Sequence, residues 1–269
     1  MEESIPSLKR IVEYGKEIDF GKAASDYGRH RAGYPDELYR RLTRFGIGLK
    51  GQQVLDLATG TGFLGRGFAR QGASITGLDI SIPLMTEARR LDADAGVQMR
   101  YVRAKAEATP FKEASFDVVS SGQSWHWFDR AQAANEARRL LRPGGWLLIA
   151  HFDWIPLPGN VVEETERLII KHNPNWAMAG TAGNLPPWAR GVAMAGFVGI
   201  ETFSFDEMTS YTHEGWRGRI RASAGIGGSL SPEKIAAFDR ELAAQLRSLF
   251  PQDPMGVHHR VIALVARRT

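Results

Sequence analysis

The chain has 269 residues, a formal net charge of +4 and no cysteine. This length suits one large domain, or one domain with a modest insertion. The lack of cysteine excludes disulfides, thiolate metal ligands and a cysteine nucleophile. No apolar run approaches the roughly 20 residues that cross a bilayer, and the first residues lack the apolar stretch of a signal peptide. We therefore expect a cytoplasmic protein without a membrane partner.

The basic residues do not form a continuous track. They occur in scattered pairs, such as Arg89-Arg90 and Arg138-Arg139, on predicted amphipathic helices. Nucleic-acid binding usually needs a longer basic run or interleaved aromatic residues. These pairs indicate solvated helix faces, and we expect no nucleic-acid partner.

Strands and helices alternate regularly in the first 150 residues. A helical N-terminal region precedes predicted strands at 53–57, 73–78, 97–103, 116–121 and 146–150, with helices at 63–71, 81–92 and 129–141. Short connections between alternating elements favour a parallel sheet with helices on both faces. The turn at 142–145 is expected to separate the last helix from strand five.

The pattern is less regular after residue 151. Helices are predicted at 161–171, 188–195 and 232–250, a loop at 173–187, and strands at 197–206 and 257–266 that would form a closing antiparallel pair. By role, the chain divides into three segments. Residues 1–50 would cover the cofactor, 51–155 would form the binding core, and 156–269 would complete the sheet and carry substrate-cap insertions.

A glycine-rich turn after a short apolar strand is the most informative feature. Strand one is followed by Gly60 and Gly62 and then by a predicted helix. Backbone N–H groups at such a turn point toward a ligand above the strand ends. Asp79 ends the next strand, where an acid accepts hydrogen bonds from both hydroxyls of a ribose. The pattern predicts a nucleoside-binding site.

The same turn satisfies G-x-G-x-x-G through Gly60, Gly62 and Gly65, a pattern also found in nicotinamide and flavin sites. However, dinucleotide folds usually open with this turn, whereas here it lies near residue 60. Asp56, at the end of strand one, would repel a pyrophosphate and would favour a ligand that carries an ammonium and a sulfonium. A nicotinamide dehydrogenase therefore remains an alternative, which calorimetry with both cofactors would test.

Five segments resemble the motifs of class I S-adenosylmethionine-dependent methyltransferases, in the same order and spacing. They are residues 56–62, with Ala58 in place of the first glycine of D/E-x-G-x-G-x-G, together with Asp79, 106–107, 116–121 and 141–145. The resemblance implies S-adenosylmethionine as cofactor and S-adenosylhomocysteine as product. It also implies an α/β fold: a Rossmann-like, mostly parallel seven-stranded sheet with helices on both faces and a helical cap.

The resemblance further implies which residues bind the cofactor. Asp79 would hold the ribose, Ile80 would lie beside the adenine, and the carbonyl of Ala58 would face the methionine amino group. Residues 106–107 would flank the adenine edge, and Ser121 would face the methyl donor. The predicted cofactor-binding set is Tyr27, Arg31, Asp56, Ala58, Gly60, Gly62, Asp79, Ile80, Ala106, Glu107 and Ser121.

A finer resemblance, to trans-aconitate methyltransferases, rests on residues 27–35 and 124–128. It implies that Tyr27 covers the sulfonium side of the cofactor and that Arg31 pairs with the methionine carboxylate. A surface salt bridge is the alternative for Arg31, and packing at the start of a helix is the alternative for Tyr34.

The chemistry and the acceptor are less specified than the cofactor. His126 follows strand four and is the candidate general base, which only an acceptor with an O–H, N–H or acidic C–H needs; a structural histidine is the alternative. Trp125 and Trp127 are predicted to line the substrate pocket, although core packing would also explain them. Arg217 and Arg221 could bind an acceptor carboxylate or phosphate, or could lie on a solvated helix face. We assign no metal.

The predicted function is transfer of a methyl group to a small-molecule acceptor: a carboxylate, hydroxyl, amine or activated carbon. An RNA or protein methyltransferase and a non-catalytic S-adenosylmethionine-binding protein are the alternatives, because a fold does not guarantee its chemistry. The identity of the acceptor and the oligomeric state, monomer or homodimer, stay open.

Overall fold

The structure is a computed structural model that describes residues 28–30, 32–178, 180 and 188–269. The chain divides into two compact units. The first, here called the sheet unit, comprises Gly33–Phe152, Leu185–Phe205 and Val261–Thr269. The second unit comprises Met1–Ala32, Asp153–Asn184 and Asp206–Arg260, within the described residues. This grouping by compactness differs from the predicted division by role.

A seven-stranded sheet has the order β3-β2-β1-β4-β5-β7-β6. The parallel pairs are β1 with β2 and β4, β2 with β3, and β4 with β5. This arrangement confirms the predicted Rossmann-like, mostly parallel fold. The strands are β1 Gln53–Leu57, β2 Ser74–Asp79, β3 Arg100–Arg103, β4 Phe116–Gly122, β5 Leu141–Trp154, β6 Phe197–Tyr211 and β7 Met255–Arg268.

The helices follow the predicted order closely within the described residues. They are α1 Asp36–Arg44, α2 Phe63–Arg70, α3 Ile82–Asp94, α4 Arg130–Leu140, α5 Val161–His172, α6 Ala189–Met194, α7 His213–Arg221 and α8 Pro232–Leu249, with a 3₁₀ turn at Trp125–Trp127. Side-chain caps begin several of them: Asp129 accepts from the N–H of Gln132, and Thr212 from that of Gly215. No helix in the described part of the chain has both the length and the apolarity needed to cross a bilayer.

The core of the sheet unit fixes the register of the strands that carry the site. Leu55, Leu57, Leu78 and Val119 are fully or almost fully buried. In β1, Leu57 pairs with Leu78 of β2 on one side and with Ser121 of β4 on the other. The carboxyl ends of β1, β2 and β4 therefore meet at one edge of the sheet, where ligands of open α/β sheets bind.

Strand β5 begins earlier than the sequence predicts. Phe116 pairs with Leu141 and Val118 with Trp146, so residues 142–145 lie in a bulge between the two pairings. Gly144 takes a left-handed conformation there, with φ of 79°. The predicted turn exists, but it interrupts a strand rather than preceding one, because Leu141 already pairs with β4.

The second unit has its own apolar core. Trp216, Ile220, Phe238 and Leu242 are buried there between α7, α8 and α5. The indole Nε1 of Trp216 donates to Thr165 Oγ1 at 3.0 Å, which satisfies the polar atom of this buried side chain. The region predicted as a substrate cap is thus a packed helical unit.

Candidate active site

The glycine-rich turn after β1 folds back against β2. The Thr59 N–H donates to the carbonyl of Leu78 at 2.9 Å, and the Gly62 N–H closes the turn on the carbonyl of Thr59 at 2.8 Å. Ala58, Gly60 and Gly62 have φ values of 47°, 56° and 80°. Glycine adopts this left-handed region without a steric penalty, whereas Ala58 is strained there. We call residues 58–62 the cofactor loop.

Asp79 joins the end of β2 to this loop. Its Oδ2 accepts from the Gly60 N–H at 2.8 Å, and its Oδ1 accepts from the Ser81 N–H at 2.8 Å. Burial raises the pKa of this carboxyl, while the hydrogen bonds from Ser81 and Gly60 oppose the rise. Each carboxylate oxygen has a second lone pair, so the oriented group can still accept from ligand hydroxyls.

An exposed apolar surface borders this acid. Ile80 is 63% exposed and Ile82 is 52% exposed, whereas Asp79 between β2 and the loop is only 6% exposed. An apolar face beside a fixed carboxylate suits the base and the sugar of a nucleoside. Among the described residues, no atom lies within 4 Å of where a Cβ on Gly60 would stand, which leaves space there for a ligand. These residues fit an adenosyl group.

Asp56 lies beneath the loop, not on the open edge of the sheet. Thr59 Oγ1 and Ser120 Oγ each donate to one of its carboxylate oxygens at 2.7 Å, and the residue is 1% exposed. Burial raises its pKa to about 6, although the Thr59 and Ser120 hydroxyls oppose this. Both carboxylate oxygens therefore hold the loop to β4, and the cofactor-binding role of Asp56 stays a prediction.

This buried acid makes stability depend on pH. Burial gives Asp56 a pKa of about 6 in the folded chain, against 3.8 for an ordinary aspartate. At pH values between these two, Asp56 is therefore protonated in the folded chain and ionised in the unfolded chain. The free energy of unfolding should fall as pH rises through this window, by at most about 3 kcal/mol. The substitution Asp56→Asn should flatten that slope.

Urea unfolding at several pH values between the two pKa values measures this effect. Asp94→Asn is the control, because Asp94 is an exposed acid at the end of α3, and it should leave the slope as in the wild type. If Asp56→Asn retained the wild-type slope, another group would be responsible for it.

The other predicted cofactor residues occupy three different environments. Ser121 Oγ lies 2.7 Å from Ser124 Oγ, and Ser124 Oγ donates to the carbonyl of Leu57 at 3.3 Å, which ties the ends of β4 and β1 together. Glu107 accepts from the N–H of Asp129 at 3.0 Å and anchors the start of α4. Ala106 is buried within the core of the sheet unit. Tyr27 and Arg31 lie outside the described residues.

The two tryptophans of the 3₁₀ turn lie in different environments. Trp125 is 1% exposed and packs edge-on against Phe128, with ring centroids 5.8 Å apart. Its burial favours the core packing that the sequence left as the alternative, and its substrate contact stays a prediction. Trp127 is only partly buried and lies against the His126 ring at 4.2 Å, where it can border a pocket.

His126 meets a second histidine that sequence reasoning missed. Its ring centroid lies 5.2 Å from that of His151, and His151 in turn lies 4.8 Å from Trp188. Both histidines are buried, with 7% and 5% of their surface exposed. We call these two residues the histidine pair. The only sequence signal for His151 is its place directly after predicted strand five; nothing in the spacing links it to residue 126.

The histidine pair lies at the same edge of the sheet as the cofactor loop. Gly122, the last residue of β4, is in register with Ala150, the residue before His151 in β5. The Tyr34 hydroxyl donates to the carbonyl of Ala150 at 2.9 Å. Tyr34 therefore packs at the ends of β4 and β5, in addition to standing at the start of α1.

Arg217 and Arg221 are already paired with acidic side chains of the second unit. Arg217 Nε and Arg221 Nη1 both donate to Asp239 Oδ1, at 3.1 and 2.7 Å. Glu214 forms ion pairs with the same two guanidinium groups, at 2.9 and 2.8 Å. Residues four apart share a helix face, and this face of α7 is directed toward α8. These ion pairs give the two arginines a structural role, and their role in substrate binding stays a prediction.

Arg219 lies between Arg217 and Arg221 in the sequence, but on another face of α7. Its guanidinium carbon stands 4.6 Å from the ring centroid of Trp154, and the residue is 7% exposed. The sequence gives no reason to prefer Arg219 over its neighbours, because only the helix environment distinguishes them. Among the described residues, no group of three or more histidine, aspartate or glutamate side chains could hold a metal ion.

Comparison with known proteins identifies the region that carries this site. Residues 55–149 match the family model described as the methyltransferase domain. A malonyl-[acyl-carrier protein] O-methyltransferase of Enterobacter lignolyticus is 38% identical over 134 residues, which are 48% of this chain and 49% of that protein. A demethylmenaquinone methyltransferase of Thermus thermophilus is 33% identical over 148 residues, which are 54% and 59% of the two chains.

The chain spans about half the length of the curated relatives it matches. Among solved structures, the YcgJ protein of Bacillus subtilis superposes with a TM-score of 0.55 at 17% identity, over 87% of this chain and 99% of that one. Residues 55–149 therefore match a methyltransferase domain, as the resemblance to class I S-adenosylmethionine-dependent methyltransferases implies. This confirms the resemblance at the level of the class; the resemblance to trans-aconitate methyltransferases stays a prediction.

Proposed function

We propose that this chain is an S-adenosylmethionine-dependent methyltransferase that acts on a small-molecule acceptor and releases S-adenosylhomocysteine. The observation that carries the proposal is the bond from the Gly60 N–H to the Asp79 carboxylate, at 2.8 Å, beside the exposed Ile80. It presents an oriented acid for ribose hydroxyls and an apolar face for adenine, within a matched methyltransferase domain.

The residues around the loop would hold the cofactor in separate parts. Asp79 would accept hydrogen bonds from the ribose, Ile80 would contact the adenine, and residues 58–62 would surround the amino-acid tail. When bound, the sulfonium of the cofactor supplies an already activated methyl group. The protein's own contribution is then to align the acceptor with that methyl group and to exclude water.

The histidine pair would take up the proton that an acceptor loses. Both imidazoles are buried, with His126 in the turn after β4 and His151 in β5, and an imidazole nitrogen can act as a general base. In this proposal a nitrogen of His126 would accept the acceptor's proton as the acceptor–hydrogen bond breaks, and the acceptor would take the methyl group as the methyl–sulfur bond to the departing S-adenosylhomocysteine breaks. His151 packs against His126 and would hold its ring in place.

This arrangement favours an acceptor with a hydroxyl, an amine or an acidic C–H over one that is already ionised. The relatives' names cover both cases: one names the malonyl-[acyl-carrier protein] and the other demethylmenaquinone. The two arginines predicted to bind a carboxylate are paired with Asp239 and Glu214. We infer a neutral metabolite as partner, in the cytoplasm, without a nucleic-acid partner.

Product formation with a panel of acceptors tests the proposal. The chain is incubated with S-adenosylmethionine and with phenols, enols, amines, carboxylic acids, RNA or protein, and S-adenosylhomocysteine is quantified by mass spectrometry. We expect product with small acceptors that carry an ionisable O–H, N–H or C–H. Product only with RNA or protein would refute the small-molecule assignment. Tight cofactor binding without product from any acceptor would indicate a non-catalytic binding protein.

A further inference from the structure

A buried ion pair lies directly behind the cofactor loop. Arg66 of α2 and Asp92 of α3 meet at 2.9 Å, with only 7% and 6% of their side chains exposed. Buried ion pairs often contribute little net stability, since desolvation offsets much of the attraction between the charges. The placement of this pair therefore calls for an explanation beyond stability.

A third element completes the network. The hydroxyl of Tyr101, in β3, donates to Asp92 Oδ2 at 2.7 Å. Both oxygens of Asp92 are thereby satisfied, one by Arg66 and one by Tyr101. Side chains of α2 and β3 thus both bond to one carboxylate of α3. We call these three residues the loop clamp.

A second nitrogen of the Arg66 guanidinium, Nη2, contacts the loop. It donates to the carbonyl of Thr61 at 2.7 Å and to the carbonyl of Ala88 at 3.2 Å. Thr61 lies between the two glycines of the loop. The next N–H, that of Gly62, is bonded to the carbonyl of Thr59 at 2.8 Å. The peptide between residues 61 and 62 is therefore held at both its oxygen and its nitrogen.

The glycine at position 62 is fitted to this network. A Cβ there would stand 3.0 Å from Arg66 Nη2 and 3.0 Å from the Tyr101 hydroxyl, and its φ is 80°. By contrast, a Cβ on Gly60 would meet no other atom of the described residues within 4 Å. One side of the loop is thus packed on the clamp, while the described part of the chain leaves space for a ligand at Gly60.

We infer that Arg66, Asp92 and Tyr101 are positioning residues that hold the loop in its cofactor-binding conformation. The inference rests on the proposed function, since it assumes that S-adenosylmethionine occupies the loop. With the Thr61 carbonyl released, the peptide could rotate, and the Gly60 N–H would lose its alignment with Asp79. The clamp would then raise cofactor affinity without touching the cofactor.

Two mild substitutions test the clamp by calorimetric titration with S-adenosylhomocysteine, well below the unfolding temperature. Tyr101→Phe removes one hydrogen bond and should weaken binding about 3- to 10-fold. Arg66→Lys keeps the charge but not the forked geometry, and should weaken binding about 10- to 50-fold. Arg66→Ala is avoided because it leaves Asp92 buried without its cation.

Two controls separate a positioning role from a merely structural one. Arg90→Lys alters an exposed arginine–carboxylate pair of α3, and Phe116→Leu alters the core at the opposite end of β4. Both variants should bind S-adenosylhomocysteine with an affinity within twofold of the wild type. This should hold even if Phe116→Leu lowers the unfolding temperature. Amide hydrogen exchange at residues 59–62 should accelerate in Tyr101→Phe and in Arg66→Lys only. Wild-type affinity in both clamp variants would overturn the inference, whereas no binding by the wild type would overturn the proposed function.

Discussion

Replacing Asp79 with alanine is expected to weaken S-adenosylhomocysteine binding by on the order of 100-fold or more. Each hydrogen bond to a charged group contributes about 1.5–3 kcal/mol, and the ribose would offer two. The substitution also removes the acceptor of the Gly60 N–H and the Ser81 N–H, so the loop would lose its link to β2. Calorimetric titration of both proteins measures the change.

Asp79→Asn separates the effect of losing the charge from the effect of losing the hydrogen bond to the loop. Its amide oxygen can still accept from one N–H, so the loop should keep part of its order while the charge is lost, and the affinity should fall between the wild type and Asp79→Ala. Asp94→Ala is the matched control, because Asp94 is an exposed acid bonded to Arg90 on α3. Unchanged affinity in Asp79→Ala would refute the nucleoside site and with it the proposed activity.

Replacing His126 with glutamine should lower kcat by about 10²- to 10⁴-fold, the usual contribution of a general base. The affinity for S-adenosylhomocysteine should stay within twofold, because His126 lies beyond the loop residues that would bind the cofactor. The measurement is product formation at saturating cofactor, with the best acceptor of the panel. A smaller loss is expected for His151→Gln, which would act through His126.

Small imidazoles provide a check on the chemical role. Activity of His126→Ala should recover partly when imidazole is added, since a free base can occupy the vacated space. His172→Gln is the control: this histidine pairs with Glu241 in the second unit, 2.9 Å away, and its loss should leave kcat unchanged. Full activity in His126→Gln would make His126 a packing residue between Trp127 and His151.

Local sequence patterns predicted the strands of the sheet, because burial of a strand requires apolar residues close together in the sequence. Most residues of β1 and β4 are buried, so each strand has a short cluster of apolar residues in the sequence, and the observed bounds lie within one residue of the predicted ones. The glycines of the cofactor loop are likewise readable, since their positive φ values restrict the residues that fit. Asp79 was predicted because it stands at the end of an apolar strand, and it is the last residue of β2.

Side-chain partners were predicted less well. Helical spacing places Arg217 and Arg221 on one face, but it does not say that Asp239 of α8 lies opposite. The same limit applies to Trp125, which a run of aromatic residues cannot assign to core or pocket. The bulge at 142–145 was read as a turn, because the pairing of Leu141 with Phe116 depends on a strand elsewhere in the chain.

The sequence by itself determined the α/β sheet, the glycine-rich loop and the acid that follows β2, because each depends on residues near one another in the chain. Only the tertiary structure decided that His126 meets His151, that Asp56 lies beneath the loop, and that Arg66 and Tyr101 meet at Asp92 while Arg66 also bonds to Thr61. The physical reason is that these contacts join separate helices and strands, and their distances follow from how the sheet and its helices pack.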